Sequence, residues 1–320
     1  PQSTAEMPKG VPTGTDHLPF SRFSGVRPLA ESSCSEARPN PGLVQALKQA
    51  LPEPSPVHFQ WWFRDDCYAR LVESLLSRMN QRSRAAFVGA PTLGTYLSIV
   101  SGRPATVIDL DAVLLKTLSE FVRTRADFVP HDVRDSAVPV ASEQFSVVYT
   151  DPPWSLRLIH LFLRDAATLC ETGGYVYVSL PPLNTRPGII QERRRTSKML
   201  CSWGLEPVSY WPSVLKYDIP TFEKSAYENS GLHFAGPWRV GDLLLLRKTS
   251  SPKDDTLSLS PETVEPWDEY TIKGCRVFLK KGDRTGAPAI RKIPGYADYR
   301  LKTTSSRELG RVAANLLTSR

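Results

Sequence analysis

The chain has 320 residues, of which 41% are hydrophobic and 23% are charged. This composition is ordinary for a globular protein, and the length exceeds the roughly 100–200 residues of one domain, which favours either one large domain with extensions or two domains. No apolar run approaches the roughly 18 residues of a membrane helix, and the first residues lack the charged-then-apolar profile of a secretion signal. We therefore expect a cytoplasmic protein with no membrane partner.

The cysteine pattern excludes two further classes of protein. Five cysteines are scattered along the sequence, and none forms a Cys-x-x-Cys pair. An odd number without paired spacing indicates neither a disulfide framework nor a zinc site. We expect free thiols and no metal.

The net charge of +7 is concentrated near the carboxyl terminus. Residues 271–320 contain twelve Lys and Arg against three acids, a local excess of +9, which leaves −2 for residues 1–270. Such a segment fits contact with nucleic acid or with an acidic protein surface. A solvated basic surface without a partner is the alternative interpretation.

Composition also divides the chain. Residues 1–42 are rich in Pro, Ser and charge without apolar periodicity, which predicts a flexible segment. Residues 43–248 hold the periodic apolar stretches of one folded domain, and residues 249–261 have the composition of a linker. Residues 262–320 form a small basic accessory module, in which 270–279 predicts two strands around a turn and which could recruit a partner protein.

Strands alternate with helices through the main domain. This order implies right-handed crossovers and an α/β fold with a doubly wound, mostly parallel, Rossmann-like sheet. The last two strands are expected to be antiparallel, and residues 216–238 form a loop that could cap a substrate. The predicted strands are 85–88, 105–108, 127–129, 145–150, 175–180, 205–210 and 242–246, and the predicted helices include 41–51, 65–79, 114–121 and 158–169.

Residues 145–154 are the stretch around which the domain is organised. A β-branched apolar run ends abruptly at Asp151, Pro152, Pro153 and Trp154. Two consecutive prolines remove two backbone donors and stop the strand, and ligands of α/β sheets bind at that edge. An acid beside a flat indole could hold a planar or amino-bearing substrate. A simple Pro-rich turn is the alternative.

Earlier strand ends carry further candidates for a binding site. Gly89 follows the first strand, where glycine lets the backbone approach a ligand. Asp109 or Asp111, after the second strand, could accept both hydroxyls of a ribose, and Asp132, after the third, could accept from an adenine amino group. The glycine turn itself is a weak signal, because it lacks the third glycine of a dinucleotide fold.

Several other side chains have two interpretations. The aromatic cluster at 59 and 61–63 favours core packing, although one or two rings could wall a cofactor pocket. Tyr149 could contact substrate, while His160 on an apolar helix is more typical of a structural residue. Arg193 and Arg194 lie in a basic helical stretch that is either a solvated surface or a substrate-steering one.

These motifs together resemble a known family. The glycine turn, the two strand-end acids and the Asp-Pro-Pro-Trp (DPPW) motif resemble class I S-adenosylmethionine-dependent methyltransferases of the amino-methylating type. More narrowly, residues 60–63, 89–93, 131–132 and 145–154 are similar to the N6-adenine methyltransferase-like family, which includes elongation-factor lysine methyltransferases. The similarity spans roughly residues 58–182. The chain departs from it at 109–112, where family members tend to carry Asp-x-Arg-Phe.

The resemblance implies a transferase with a defined site. S-adenosylmethionine would be bound by Gly89, Ala90 and Pro91 together with Asp109, Asp111 and Asp132. The catalytic group would comprise Asp151, Pro152, Pro153 and Trp154. Its methyl acceptor would be an amino nitrogen, either adenine N6 of a nucleic acid or a protein lysine, with Trp154, Tyr149, Arg193 and Arg194 contacting the substrate.

Two alternatives to this assignment remain open. The strand-end acids and the DPPW stretch are also similar to branched-polyamine synthases, which are aminopropyltransferases that use decarboxylated S-adenosylmethionine. Those enzymes carry an acidic cluster where this chain has Gly89 to Thr92, and a polyamine cation needs such acids. Ala90 and Pro91 in the cofactor loop also leave open a binding module that has the fold but no activity.

Overall fold

A computed structural model of the chain describes residues 40–122, 126–135, 138–186, 188–229, 236–252, 267–272, 275–280 and 316–318. The helices are α1 Pro41–Ala50, α2 Asp65–Leu76, α3 Pro91–Ser101, α4 Ala112–Phe121, α5 Leu156–Leu169, α6 Ile189–Leu200 and α7 Thr221–Asn229. The strands are β1 Ala85–Val88, β2 Ala105–Asp109, β3 Ala126–Pro130, β4 Phe145–Thr150, β5 Cys170–Leu180, β6 Leu205–Tyr217, β7 Arg239–Lys248, β8 Trp267–Ile272, β9 Cys275–Lys280 and β10 Leu316–Thr318.

Seven strands form the central sheet in the order β3-β2-β1-β4-β5-β7-β6. The first five pair in parallel, whereas β7 is antiparallel to both β5 and β6. The expected Rossmann-like, mostly parallel α/β sheet with antiparallel last strands is therefore confirmed. Since β1 lies between β2 and β4 and later strands are added on both sides of it, the sheet reverses its winding between β1 and β4.

Alternating side chains of the central strands build two cores, one on each face of the sheet. Phe87 and Tyr149 point to one face and pack with α2 and α3. Val88 and Val148, each adjacent in its strand to one of these residues, point to the other face and pack with α5. This period of two, with both faces covered, explains why the parallel strands read as continuous apolar runs.

Local signals in the sequence fix the helix ends. Asn40 caps α1, Asp111 caps α4 and Ser155 caps α5, each by accepting a backbone N–H in the first turn. Pro91 begins α3, where its missing donor costs nothing, and Gly102 ends that helix in the left-handed conformation. None of the described helices is both long and apolar enough to cross a bilayer.

Several predicted boundaries were wrong. The fifth strand was predicted over 175–180, but β5 already begins at Cys170, and the sixth, predicted over 205–210, continues to Tyr217. The residues before Tyr175 bulge out of the pairing with β4, and Gly174 is needed there because a Cβ would lie 2.8 Å from the Ser146 carbonyl oxygen. The predicted loop at 216–238 also contains α7, whose first turn bonds to the Pro220 carbonyl.

A separate three-stranded antiparallel sheet has the order β10-β9-β8. The two strands predicted around a turn at 270–279 are confirmed as β8 and β9, and β10 was not predicted. Most of the flexible segment 1–42, most of the linker 249–261 and most of the basic segment 271–320 lie outside the described residues. The domain boundaries therefore stay predictions.

Candidate active site

A cleft of about 600 Å³ opens at the carboxyl ends of β1, β2, β3 and β4. It lies at the reversal point of the sheet, where open α/β folds bind their ligands. The lining residues that follow these four strands include Gly89, Ala90, Pro91, Asp109, Leu110, His131, Asp132, Asp151, Pro152 and Pro153. All but one of the predicted cofactor residues are thus brought together; Asp111 is the exception.

Gly89 forms the floor of the cleft in a conformation that other residues rarely adopt. Its φ is +67°, and an added Cβ would lie 2.5 Å from the Phe162 ring and 3.3 Å from the Asp151 carbonyl oxygen. Directly after it, Ala90 is the N-cap of α3 and has no side-chain hydrogen bond. Bare backbone at a helix N-terminus therefore faces the cleft, which suits a close-fitting polar ligand.

The structure separates the two acids after β2. Asp109 lines the cleft, and burial raises its pKa to about 6. Asp111 instead caps α4 through Val113 and Leu114 and accepts from Gln60 Nε2 at 2.8 Å. The prediction of Asp111 as a cofactor ligand is corrected accordingly, since its carboxylate is buried in structural hydrogen bonds.

Asp132 also lies in the cleft, but its carboxylate has a partner. Arg134 binds both Asp132 oxygens, with Nε at 2.8 and 2.9 Å. Burial raises the pKa of Asp132, but the hydrogen bonds and charge of Arg134 outweigh it and hold the pKa below its usual value. An adenine amino group that donated to Asp132 would therefore have to share the carboxylate with Arg134.

Side chains of α5 hold the loop that carries Asp132 in place. His131 Nε2 lies 3.1 Å from Asp165 Oδ2, and Arg164 binds Asp165 and the carbonyls of Val133 and Asp135. All three side chains in this network are buried. Sequence reasoning did not find it, because it joins the loop after β3 to a pair of residues in α5 that are distant in sequence.

Asp151 is the acid that the geometry sets apart. It follows β4 at the cleft, and Tyr217 Oη donates to its Oδ1 at 2.9 Å. Burial raises the pKa of Asp151 to about 7, although hydrogen bonds from Tyr217 and Ser179 oppose this rise. A carboxylate held near its ionisation point inside a cleft is typical of a functional site.

Residues 56–63 form the wall opposite the strand ends. Ser55 N–H donates to Gln60 Oε1, and Gln60 in turn donates to Asp111. At the other end, Phe63 forms a β-bridge with Tyr217, and Asp218 N–H donates to the Trp62 carbonyl. Both interpretations of these aromatics hold, because Trp61, Trp62 and the buried Phe63 line the cleft and also pack in or against the core cluster.

Trp154 lies in a cluster of three indoles beside Asp151. We call Trp61, Trp154 and Trp238 the tryptophan cluster. Trp61 meets each of the other two edge to face with ring centroids 5.2 Å apart, and Arg239 lies over all three rings. Trp238 and Arg239 were missed by sequence reasoning because they were placed at or next to a loop, not at the start of β7.

None of the four predicted substrate contacts is among the residues that line the cleft, and Trp154 lies in the tryptophan cluster. Tyr149 is fully buried within the sheet and exchanges a hydrogen bond with Ser179 at 2.9 Å. Arg193 is buried too, and donates to Asp242 and to the Pro181 carbonyl. Arg194 is exposed on α6 and lies outside the cleft lining. Burial and these hydrogen bonds correct the assignments of Tyr149 and Arg193 as substrate contacts, whereas those of Arg194 and Trp154 stay predictions. His160, which hydrogen bonds with Thr196, is buried as expected.

The strand order, the antiparallel β7 and the cleft at the reversal point define the Rossmann-like fold of class I methyltransferases. The family model described as "Probable N6-adenine methyltransferase" matches residues 56–209, just under half of the chain. This match confirms the resemblance seen in the sequence. The match and the fold together support an S-adenosylmethionine-dependent methyltransferase. No curated protein matches the chain in sequence.

Two of the solved structures that match the chain share its fold at low sequence identity. The branched-chain polyamine synthase from Thermus thermophilus, in complex with N4-aminopropylspermidine and 5'-methylthioadenosine, aligns with a TM-score of 0.57 at 14% identity, over 79% of this chain and 69% of that one. Its C9 mutein aligns with a TM-score of 0.56 at 14% identity, over 76% and 71%. Geranyl diphosphate C-methyltransferase from Streptomyces coelicolor aligns with a TM-score of 0.40 at 11% identity, over 56% of this chain and 78% of that one.

The reassignment of Arg193 can be tested against its neighbour. Arg193→Ala should lower the free energy of unfolding by about 3 kcal/mol, because it breaks a buried ion pair and leaves Asp242 short of a partner. Arg194→Ala is the matched control and should change it by less than about 0.5 kcal/mol. Urea unfolding measures both. Equal effects of the two substitutions would contradict the structural role of Arg193.

Proposed function

We propose that the chain transfers a methyl group from S-adenosylmethionine to an amino nitrogen. The observation that carries this proposal is the position of Asp151 and Pro152 at the sheet reversal point, opposite the bare backbone of Gly89. An acid followed by prolines at this edge offers two acceptors, the Asp151 carboxylate and the Pro152 carbonyl, to the two hydrogens of an amine. The nitrogen that receives the methyl group would be either adenine N6 or the side-chain amine of a lysine.

The residues around the cleft fit the cofactor. At Gly89 a side chain would fill the floor, so the backbone can lie against the ligand, and Asp109 presents a carboxylate suited to ribose hydroxyls. Leu110, 42% exposed beside Asp109, provides an apolar surface for a flat ring. When bound, the cofactor supplies an electrophilic methyl group on a sulfonium. This fit, despite Ala90 and Pro91, favours an active protein over an inactive binding module.

The contribution of the protein is to orient the amine. Asp151 and the Pro152 carbonyl would accept its two N–H groups, which turns the nitrogen lone pair towards the cleft. Positioning of this kind can supply about 7–11 kcal/mol of the barrier. Trp154, held edge-on by Trp61, would limit the tilt of the acceptor. The aromatic wall at 56–63 would exclude water.

Aminopropyl transfer is the second candidate, on the strength of the fold shared with the Thermus thermophilus synthase. The loop from Gly89 to Thr92 carries no acid to neutralise a polyamine. Among the acids that line the cleft, Asp132 is already neutralised by Arg134. Methyl transfer is therefore preferred.

Calorimetric titration separates these possibilities. We expect heat with S-adenosylmethionine and S-adenosylhomocysteine, and weaker binding of decarboxylated S-adenosylmethionine. Gly89→Val should abolish the heat, since its side chain would collide with Phe162 at the floor of the cleft. Arg194→Ala serves as the control. Preference for the decarboxylated compound would support aminopropyl transfer, and no heat with any of the three would exclude both activities.

The raised pKa of Asp151 gives the reaction a pH dependence. Since the ionised carboxylate is the form that accepts from the amine, kcat/KM should fall about tenfold per unit as pH decreases below about 7. Asp151→Asn keeps an oxygen that can accept a hydrogen bond but does not titrate. Its activity should be lower, and its kcat/KM should no longer fall as the pH decreases below about 7.

Asp151→Ala should lose at least about a hundredfold in kcat while cofactor affinity stays within a few-fold. Initial rates at saturating cofactor provide both pH profiles. A limb near pH 7 that persists in Asp151→Asn would assign the titration to another group. Loss of both activity and cofactor binding in Asp151→Ala would indicate a structural Asp151.

We also propose that the basic carboxyl-terminal segment binds the phosphates of a nucleic-acid substrate. Residues 281–320 contain nine Lys and Arg residues. Replacing them with Gln should weaken binding of single-stranded RNA and flatten the log–log salt dependence by about 0.7 for each phosphate that the segment no longer neutralises. Fluorescence anisotropy from low to high salt measures this slope. An unchanged slope would leave an acidic protein surface as the partner.

A further inference from the structure

Two hydroxyl groups from other strands of the sheet meet the Asp151 carboxylate. Tyr217 Oη, at the end of β6, donates to Asp151 Oδ1 at 2.9 Å, and Ser179 on β5 hydrogen bonds to the same carboxylate. Ser179 Oγ in turn lies 2.9 Å from the hydroxyl of Tyr149, which continues the network into the sheet. All three of these hydroxyl side chains are buried. The protein therefore supplies a fixed set of partners to the carboxylate before any substrate arrives.

A bulge in β6 brings Tyr217 to this position. The pairing of β6 with β7 changes register between Trp211 and Leu215, and Ser213 within this stretch has a φ of +55°. The Ser213 N–H donates to Asp242 Oδ1 at 2.9 Å, which holds the irregular stretch in place. Bulges bend a strand and re-aim the side chains that follow, and they are frequent next to active sites. The last residue of β6 thereby reaches the edge of the sheet that carries the cleft.

Aromatic packing holds the Tyr217 ring in one orientation. Its centroid lies 4.9 Å from that of Phe63, 6.0 Å from Trp61 and 6.1 Å from Trp154. These separations lie within the roughly 4.5–7 Å of favourable aromatic pairs. On the β7 side, Gly241 leaves room for the ring, because a Cβ at that position would lie 3.2 Å from Tyr217 Cε2. The hydroxyl is therefore presented from a packed ring.

The Tyr217 hydroxyl keeps its proton at every working pH. Burial and the nearby charge of Asp151 raise the pKa of Tyr217 well above its usual value. A donor of this kind stabilises the ionised form of the carboxylate that it meets. An ionised carboxylate has about four lone-pair sites, and Tyr217 and Ser179 use only some of them. The remaining sites can accept from an incoming amine.

Other charged or titratable side chains also face the cleft or lie over its edge. They are His58, Asp109, His131, Asp132 and Arg134 in the lining, and Arg239 over the Trp154 ring. The charged residues on either side of Tyr217 form ion pairs, Lys216 with Asp66 and Asp218 with Lys48. All of these groups are unchanged in a variant that lacks only a hydroxyl. A changed pH profile in such a variant therefore reports on the hydroxyl.

We propose that Tyr217 is a positioning residue that holds Asp151 in the orientation from which it accepts the amine. Together with Ser179 it occupies part of the carboxylate and fixes its plane, so that the remaining lone pairs face the cleft. Tyr217 is not among the residues that line the cleft, so it acts through Asp151 without touching the acceptor. This inference rests on the proposed methyl transfer and adds a residue from the far edge of the sheet to that site.

Tyr217→Phe tests the proposal, because it removes the hydroxyl and keeps the packed ring. The full chain is given S-adenosylmethionine with either an adenine-containing oligoribonucleotide or a lysine-containing peptide. On the acceptor that the unmodified protein methylates, kcat should fall at least about tenfold, because the carboxylate is no longer held in place. The pH below which kcat/KM falls should rise by about one unit, because the ionised carboxylate loses a donor. Calorimetric affinity for S-adenosylhomocysteine should stay within a few-fold.

Tyr177→Phe is the matched control. Tyr177 on β5 is as buried as Tyr217, and the substitution removes a hydrogen bond to the Ser74 carbonyl, away from the cleft. It should leave kcat and the pH profile unchanged. Ser179→Ala is the second test variant, which should change both in the same direction as Tyr217→Phe and replaces it if that variant does not fold. Thermal unfolding verifies that each variant is intact.

The outcomes separate this inference from the proposed function. If Tyr217→Phe keeps the kcat and the pH profile of the unmodified protein, the positioning role is overturned while methyl transfer stands. The same conclusion follows if Tyr177→Phe changes both as strongly, because loss of any buried hydroxyl would then explain the effect. If the unmodified protein binds the cofactor but methylates neither acceptor, the proposed function fails and the inference fails with it.

Discussion

The site depends on a short set of hydrogen bonds that join residues 62–64 to the end of β6. Arg64 N–H donates to the Lys216 carbonyl, Asp218 N–H donates to the Trp62 carbonyl, and Phe63 bridges to Tyr217 between them. This pairing places one wall of the cleft against the last strand of the sheet. It also brings the Tyr217 hydroxyl to Asp151, so the wall and the reacting edge are built by the same contact.

Burial then sets the chemistry of the acids at that edge. Asp109 and Asp151 have little compensating charge around them, and their pKa values rise to about 6 and about 7. Asp132 lies at the same edge, but Arg134 binds it and its pKa falls. The three carboxylates at the ends of these strands therefore have three different environments. Of the three, only Asp151 has a pKa of about 7 and also accepts a hydrogen bond from a side chain of another strand.

The fold was largely predictable, and the site only in part. Period-two and period-3.6 apolar patterns located nearly every strand and helix, because both faces of the sheet are covered. Once the strands had been located, their carboxyl ends identified Gly89, Asp109 and Asp151 as residues of one edge of the sheet. Spacing along the chain could not show that Asp111 caps a helix or that Arg193 pairs with Asp242, since these depend on which partners the fold brings near. Arg239 was missed because it was placed next to a loop and because two of its ring neighbours, Trp61 and Trp154, are distant in sequence.

The anchoring of residues 56–63 has a consequence for how molecules enter and leave. One end of the segment is tied through Gln60 to Asp111, the cap of α4, and the other is tied to β6. A wall held at both ends cannot peel back residue by residue; displacing it breaks buried bonds at both anchors together. Passage into the cleft is therefore expected at its open mouth and not through this wall.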